Sequence, residues 1–151
     1  MSFEPGVVMS LSLRTLVFLA GLGQLVLAAA SLAIPQVMRW REGTAGLRPL
    51  LRQTFWTYAA YVWGFNLSFG LLSTLAPSWL LDGSPLAVAV SAFIAVYWGA
   101  RLIVQFTYFD RADLPTGRRF RLAEAGLVAL FLYLALVYGA VAVTGLSARR
   151  G

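Results

Sequence analysis

The sequence predicts an all-α membrane protein: one domain, 1–151, built as a bundle of four transmembrane helices with short loops. Three observations predict it. Of 151 residues, 60% are hydrophobic and 12% are charged, whereas a soluble domain carries roughly 45–50% apolar and about 25% charged residues. Four apolar segments, 11–34, 55–76, 86–109 and 122–144, each supply the ~20 residues a helix needs to cross ~30 Å of hydrocarbon. Polar stripes, which would mark a soluble helical bundle, are nearly absent from all four.

The first segment runs from Leu11 to Ile34 and is closed by Pro35. Its alternative reading is a cleaved signal peptide, because Arg14 precedes an apolar run with small residues at Ala28 and Ala30. Cleavage would leave three spans with the Arg-rich first loop outside, and the run is long for a signal, so a retained span is expected. The connection WREGTAGLRPLLRQ is expected to lie along the interface as a short amphipathic piece, its arginines against anionic headgroups.

The second segment, Phe55 to Ala76, is closed by Pro77, and the third, Leu86 to Phe109, is opened by Pro85. Prolines at helix ends cost least. The fourth segment runs from Leu122 to Thr144. Small residues recur every fourth position at Ala60, Gly64 and Ser68, at Ser91, Ala95 and Gly99, and at Ala135 and Gly139. Such faces let helices approach closely, within the bundle first, or else in a homo-oligomer or partner seam. Aromatics crowd the second and third spans. Those at the ends suit the interfacial belt, while Tyr61, Trp63, Tyr97 and Trp98 lie deeper, in ordinary packing or around an apolar ligand.

Loop charge sets the orientation. Arg39, Arg41, Arg48 and Arg52 flank the first connection, and Arg111, Arg118, Arg119 and Arg121 the third, while the second has none. The positive-inside rule makes loops one and three cytoplasmic and leaves both termini outside. Arg14, Arg149 and Arg150 dissent, three against eight. The expected location is the bacterial inner membrane.

The chain has no Cys and no His. That excludes thiol nucleophiles, Cys/His zinc sites, His-ligated haem and the Ser-His-Asp triad, and no cofactor is expected. The net charge of +6 comes from loops beside spans, so nucleic acid is not an expected partner.

Arg101 sits inside the third apolar segment. At ~1.5 Å per residue it lies roughly 12 Å from the cytoplasmic end, with Asn66 and Tyr133 roughly 16 Å deep and Gln24 roughly 15 Å. Each span thus places one hydrogen-bonding side chain near one level. A mid-membrane arginine costs at least ~2.5 kcal/mol, so it should face the interior and find partners. Glu124 is the one acid inside a predicted span, but the two side chains start roughly 9 Å apart in height and lean away from each other. Three answers are open: a structural ion pair with Glu124 or satisfaction by the polar layer, a bound lipid phosphate or other anion, or a carboxylate of a partner subunit. Tyr97, Gln105 and Tyr108 share one helix face with Arg101, and that face is the candidate binding site. A weaker candidate is Asp110 with Asp113, paired carboxylates that suit Mg²⁺ beside Arg118, Arg119 and Arg121.

Function falls into three classes. A non-catalytic accessory or assembly subunit, packed against a larger membrane partner, fits the lack of a catalytic constellation and is the leading expectation. A lipid- or amphiphile-handling protein, possibly an enzyme, would use the Arg101 face. A small oligomeric transporter or channel would use Arg101 as an anion site.

Overall fold

The computed structural model describes residues 5–108 and 117–150, with the side chains of 5–11 excepted. All regular structure among the described residues is helical. The elements are α1 (Pro5–Ser31), α2 (Ile34–Val37), α3 (Trp40–Gly43), α4 (Pro49–Leu75), α5 (Pro77–Leu80), α6 (Pro85–Thr107) and α7 (Arg118–Ala148). Among the described residues three stretches are both long and apolar enough to cross a membrane: Ser12–Val37, which runs from α1 through α2, then α6, and α7. α4 is 27 residues long, about 40 Å of helix. Tyr58, Tyr61, Trp63, Asn66 and Ser68 interrupt its aliphatics, so its mean hydropathy falls below that of the other three.

The helices overrun the apolar segments for identifiable reasons. α4 begins at Pro49, six residues before the oily run, because proline suits the first helical turn and Arg52, Gln53 and Thr54 tolerate a polar surface. α6 begins at Pro85 after Ser84, whose hydroxyl caps it by accepting from the Ala87 N–H at 3.1 Å. α7 starts four residues before Leu122, its first turn holding Arg118, Arg119 and Arg121. Hydropathy marks where a helix meets oil, not where its backbone bonds stop.

Packing makes two antiparallel hairpins. A Cβ on Gly21 would come 2.8 Å from the Thr74 nitrogen and 3.0 Å from the Ser73 carbonyl carbon, and one on Gly70 would come 3.1 Å from the Leu25 nitrogen. As α1 advances its partner on α4 recedes, so α1 and α4 run antiparallel with backbones nearly touching. α6 and α7 pair likewise, with Trp98 against Phe131 and Val88 against Gly145. α1 then meets α7 where Gly23 faces Leu130. The shared core holds Val17, Ala20, Phe69, Ile94, Leu134 and Val141.

The small-residue faces expected to pack inside the bundle divide. Ser91 is fully buried, but Cβ atoms added at Gly64, Gly99 and Gly139 would meet nothing within 4 Å. Among the described residues, no neighbouring helix makes close contact at those three glycines. Close approach needs matching small surfaces on both helices at one height, and here that match is made by Gly21, Gly23, Gly70 and Gly145.

Candidate functional site

At the centre of the bundle four helices each contribute one polar group. Gln24 of α1 donates from Nε2 to Tyr138 Oη of α7 at 2.6 Å, and also to the Ala20 carbonyl at 3.3 Å. Its Oε1 accepts from the indole Nε1–H of Trp98 on α6 at 3.1 Å. Tyr138 Oη shares a further hydrogen bond with Ser73 Oγ of α4 at 2.5 Å. All four side chains are no more than 1% exposed. Both amide donors of Gln24 are used and its oxygen accepts one bond, so each polar atom of the carboxamide has a partner.

That node continues toward Arg101. Trp98 stacks on Phe131 with ring centroids 5.1 Å apart and planes 26° from parallel. The Arg101 guanidinium lies over the Phe131 ring at 5.3 Å, a cation–π contact, and donates to Gln105 Oε1 at 3.3 Å. Beside it, Tyr97 donates to Asn66 Oδ1 of α4 at 2.9 Å and meets Trp98 edge-on at 5.2 Å. Arg101, Gln105, Tyr97 and Asn66 are all half-buried. They form a polar strip along α6 outside the sealed node, Tyr97 turned to Asn66 of α4 and Arg101 to Phe131 of α7.

The polar side chains placed by sequence at one level therefore separate. Gln24 joins the interior node. Asn66 bonds Tyr97. Tyr133 turns to α1, donating to the Leu16 carbonyl at 2.9 Å. Arg101 uses Gln105, one helical turn away. Among the described residues an ion pair joins Arg39 to Glu42 at 3.6 Å. Tyr108, at the end of α6, is 81% exposed. Asp110 and Asp113 lie outside the described residues.

Ser73 and Tyr138 complete the node and are not legible as site residues in sequence, while Trp98 is marked there as a deep aromatic, in packing or around an apolar ligand, and not as a hydrogen-bond donor. Serine is common at helix contacts, and Tyr138 reads as apolar bulk. The signal that points to them is Gln24 itself, since a buried amide requires partners on the helices around it.

Two open clefts flank the bundle. One, of about 440 Å³, is lined by Leu32 just past α1, the α2–α3 segment and Trp56. The other, of about 350 Å³, lies at the opposite end of α1 and is lined by Arg14, Thr15, Phe18, Thr74, Leu75 and Pro77.

The chain matches no family model, no curated protein and no solved structure.

Proposed function

We propose that the chain is a four-span inner-membrane protein serving as a non-catalytic accessory or assembly subunit, packed against a larger membrane partner. Loops one and three face the cytoplasm and both termini lie outside, a reading supported by the eight loop arginines against three. α4 is the fourth span in this reading. It packs backbone to backbone along α1 and delivers Ser73 to the interior, so it sits at the depth of its neighbour.

One observation carries the accessory reading: the bundle spends its central polar groups on itself. Gln24, Tyr138, Ser73 and Trp98 are buried and mutually bonded, which suits a fixed scaffold rather than a conduit. Outward, α4 offers Gly64 with open space over it and the exposed Tyr61 and Phe65 beside it. Small and aromatic surface of that kind suits a neighbouring transmembrane helix.

Mild extraction of the full chain tests this. A partner should co-purify in fixed ratio and be lost in Gly64→Leu at unchanged thermal stability. A chain that purifies alone, or a complex indifferent to Gly64→Leu, would rule the reading out.

A second reading is favoured by the half-buried strip of Arg101, Gln105, Tyr97 and Asn66. An anionic amphiphile between α4 and α6 would take the guanidinium bidentately. A bound lipid that survives extraction and disappears in Arg101→Gln supports it, and unchanged lipid content in that variant excludes it.

A further inference from the structure

We propose that the cleft between the α2–α3 segment and Trp56 binds the phosphate of an anionic phospholipid, with Arg39 and Arg41 as its donors. The cleft holds about 440 Å³, within the range of small-ligand sites. It opens directly after the apolar run Ser12–Val37. Its lining combines apolar Leu32, Pro35 and Trp56 with polar Gln36, Arg39, Arg41 and Glu42. Oil-compatible and phosphate-compatible surfaces thus meet in one concavity, as a headgroup with its first methylenes requires.

The backbone is bent to make this arrangement. Arg39 is the non-glycine residue with positive φ among those described, at φ 49° and ψ 42°. That left-handed conformation is costly for any residue with a Cβ, and glycine or asparagine would take it more cheaply. In a continuous helix, residues two apart point roughly 200° away from each other. The break at Arg39 lets Arg39 and Arg41 line the same cleft instead. An observed outlier of this kind is a reason to look for function.

The surroundings hold the bend in place. Trp40 meets Phe55 edge-on at 5.0 Å and Trp56 at 6.0 Å, and Thr44 donates to the Trp40 carbonyl at 2.7 Å. Such an aromatic cluster suits the membrane–water interface. Arg39 meets Glu42 at 3.6 Å, with both side chains more than two-thirds exposed. Exposed pairs of this kind are weak, so a phosphate can take the guanidinium from it. Two arginines against one glutamate leave the lining positive. A zwitterionic lipid presents its own cation beside the phosphate, so the anionic class is favoured. This inference rests on the apolar Ser12–Val37 run and is independent of the partner reading.

The test is native mass spectrometry of the full chain in mild detergent. It is titrated separately with dioctanoyl phosphatidylglycerol, dioctanoyl phosphatidylcholine and inorganic phosphate. Phosphatidylglycerol should bind at least about tenfold more tightly than phosphatidylcholine, and the double variant Arg39→Gly/Arg41→Gln should lose about tenfold or more of that binding. Glycine is chosen because it accepts the left-handed backbone. If the double variant does not fold, Arg41→Gln alone decides. Arg118→Gln/Arg119→Gln, which removes the same charge elsewhere, should keep the preference. Equal binding of the two lipids overturns the proposal, as does a preference that survives in the cleft variant or falls equally in the control. Inorganic phosphate that binds as tightly as phosphatidylglycerol assigns the site to a soluble anion and overturns the lipid.

Discussion

The indole N–H of Trp98 on α6 reaches Oε1 of Gln24 on α1 at 3.1 Å. Through that bond, two helices from different hairpins share one buried amide. The same amide bonds Tyr138 on α7, which bonds Ser73 on α4. Close backbone contact holds α1 to α4 and side-chain packing holds α6 to α7, but the node ties the hairpins to each other. In lipid there is little hydrophobic drive to do that, so packing and polar contacts decide.

Removing Gln24 should therefore cost more than removing an end of the chain. Gln24→Leu strands the Trp98 donor and takes a partner from Tyr138, and about 1–3 kcal/mol of stability should be lost. Ser73→Ala removes one interhelical bond and should cost about 0.6 kcal/mol, the average for such bonds in a membrane. Ser73→Ala should cost nothing further once Tyr138→Phe is present, because the two share one bond. Reversible unfolding in mixed detergent micelles checks all three, and strictly additive losses would show that Ser73 and Tyr138 act separately.

Gly21 should be the least replaceable glycine. An added Cβ would press on the Thr74 nitrogen and the Ser73 carbonyl carbon at 2.8 and 3.0 Å, and backbone does not swing aside. Gly21→Ala should push α1 off α4, lowering stability by about 1–3 kcal/mol and weakening the Ser73–Tyr138 bond. Gly64→Ala, with open space over it, is the matched control and should be neutral within ~0.5 kcal/mol. Equal effects in the two variants would mean the α1–α4 contact is looser than described.

This contrast bears on what sequence can carry. The every-fourth spacing of small residues marks Gly64 and passes over Gly21. It does not carry the rotation of each helix about its axis, so which stripe meets a neighbour is undetermined. The same gap explains the polar layer. Gln24 is conspicuous as a lone amide in an oily run, but Tyr133 and Tyr138 are five residues apart, about 140° round one helix. Only rotation and tilt decide which of them reaches it. The helical class and the proline-marked ends at Pro77 and Pro85 were legible because they depend on local chemistry alone, whereas Pro35 falls inside α2, past the end of α1 at Ser31, and Pro49 opens α4 within the stretch read as a connection. The bend at Arg39 was not, because it follows from Trp40 finding Phe55 and Trp56.

Gly145 offers a clash that can be repaired. A Cβ there would lie 2.7 Å from Val88 Cγ2, a side-chain atom rather than backbone. Gly145→Ala alone should destabilise the α6–α7 hairpin by about 1 kcal/mol or more. Val88→Ala removes the offending methyl, so Gly145→Ala should be nearly free in the Val88→Ala background. A double-mutant cycle by thermal unfolding reads the coupling. No coupling would place these helices further apart at this height.

The connection before α6 should respond to acid. Asp82 Oδ1 accepts from the Ser84 N–H at 2.8 Å, and Ser84 in turn caps α6. The Ser84 amide bond, reinforced by the Ser84 side chain, holds the Asp82 carboxyl below its ordinary value. A lowered carboxylate stabilises the folded form above the unfolded value of about 3.9, and that contribution fades as pH falls through the lower folded value. At neutral pH the turn is therefore fully formed, and it should loosen only below about pH 4. The Ser84 amide resonance should titrate with a midpoint below that of a free aspartate, and the titration should vanish in Asp82→Asn. Salt should barely move the midpoint, because the first cause is a hydrogen bond and not a distant charge. A midpoint at the free-aspartate value would show that the carboxylate does not hold Ser84, and the α6 cap would then stand on the Ser84 hydroxyl alone.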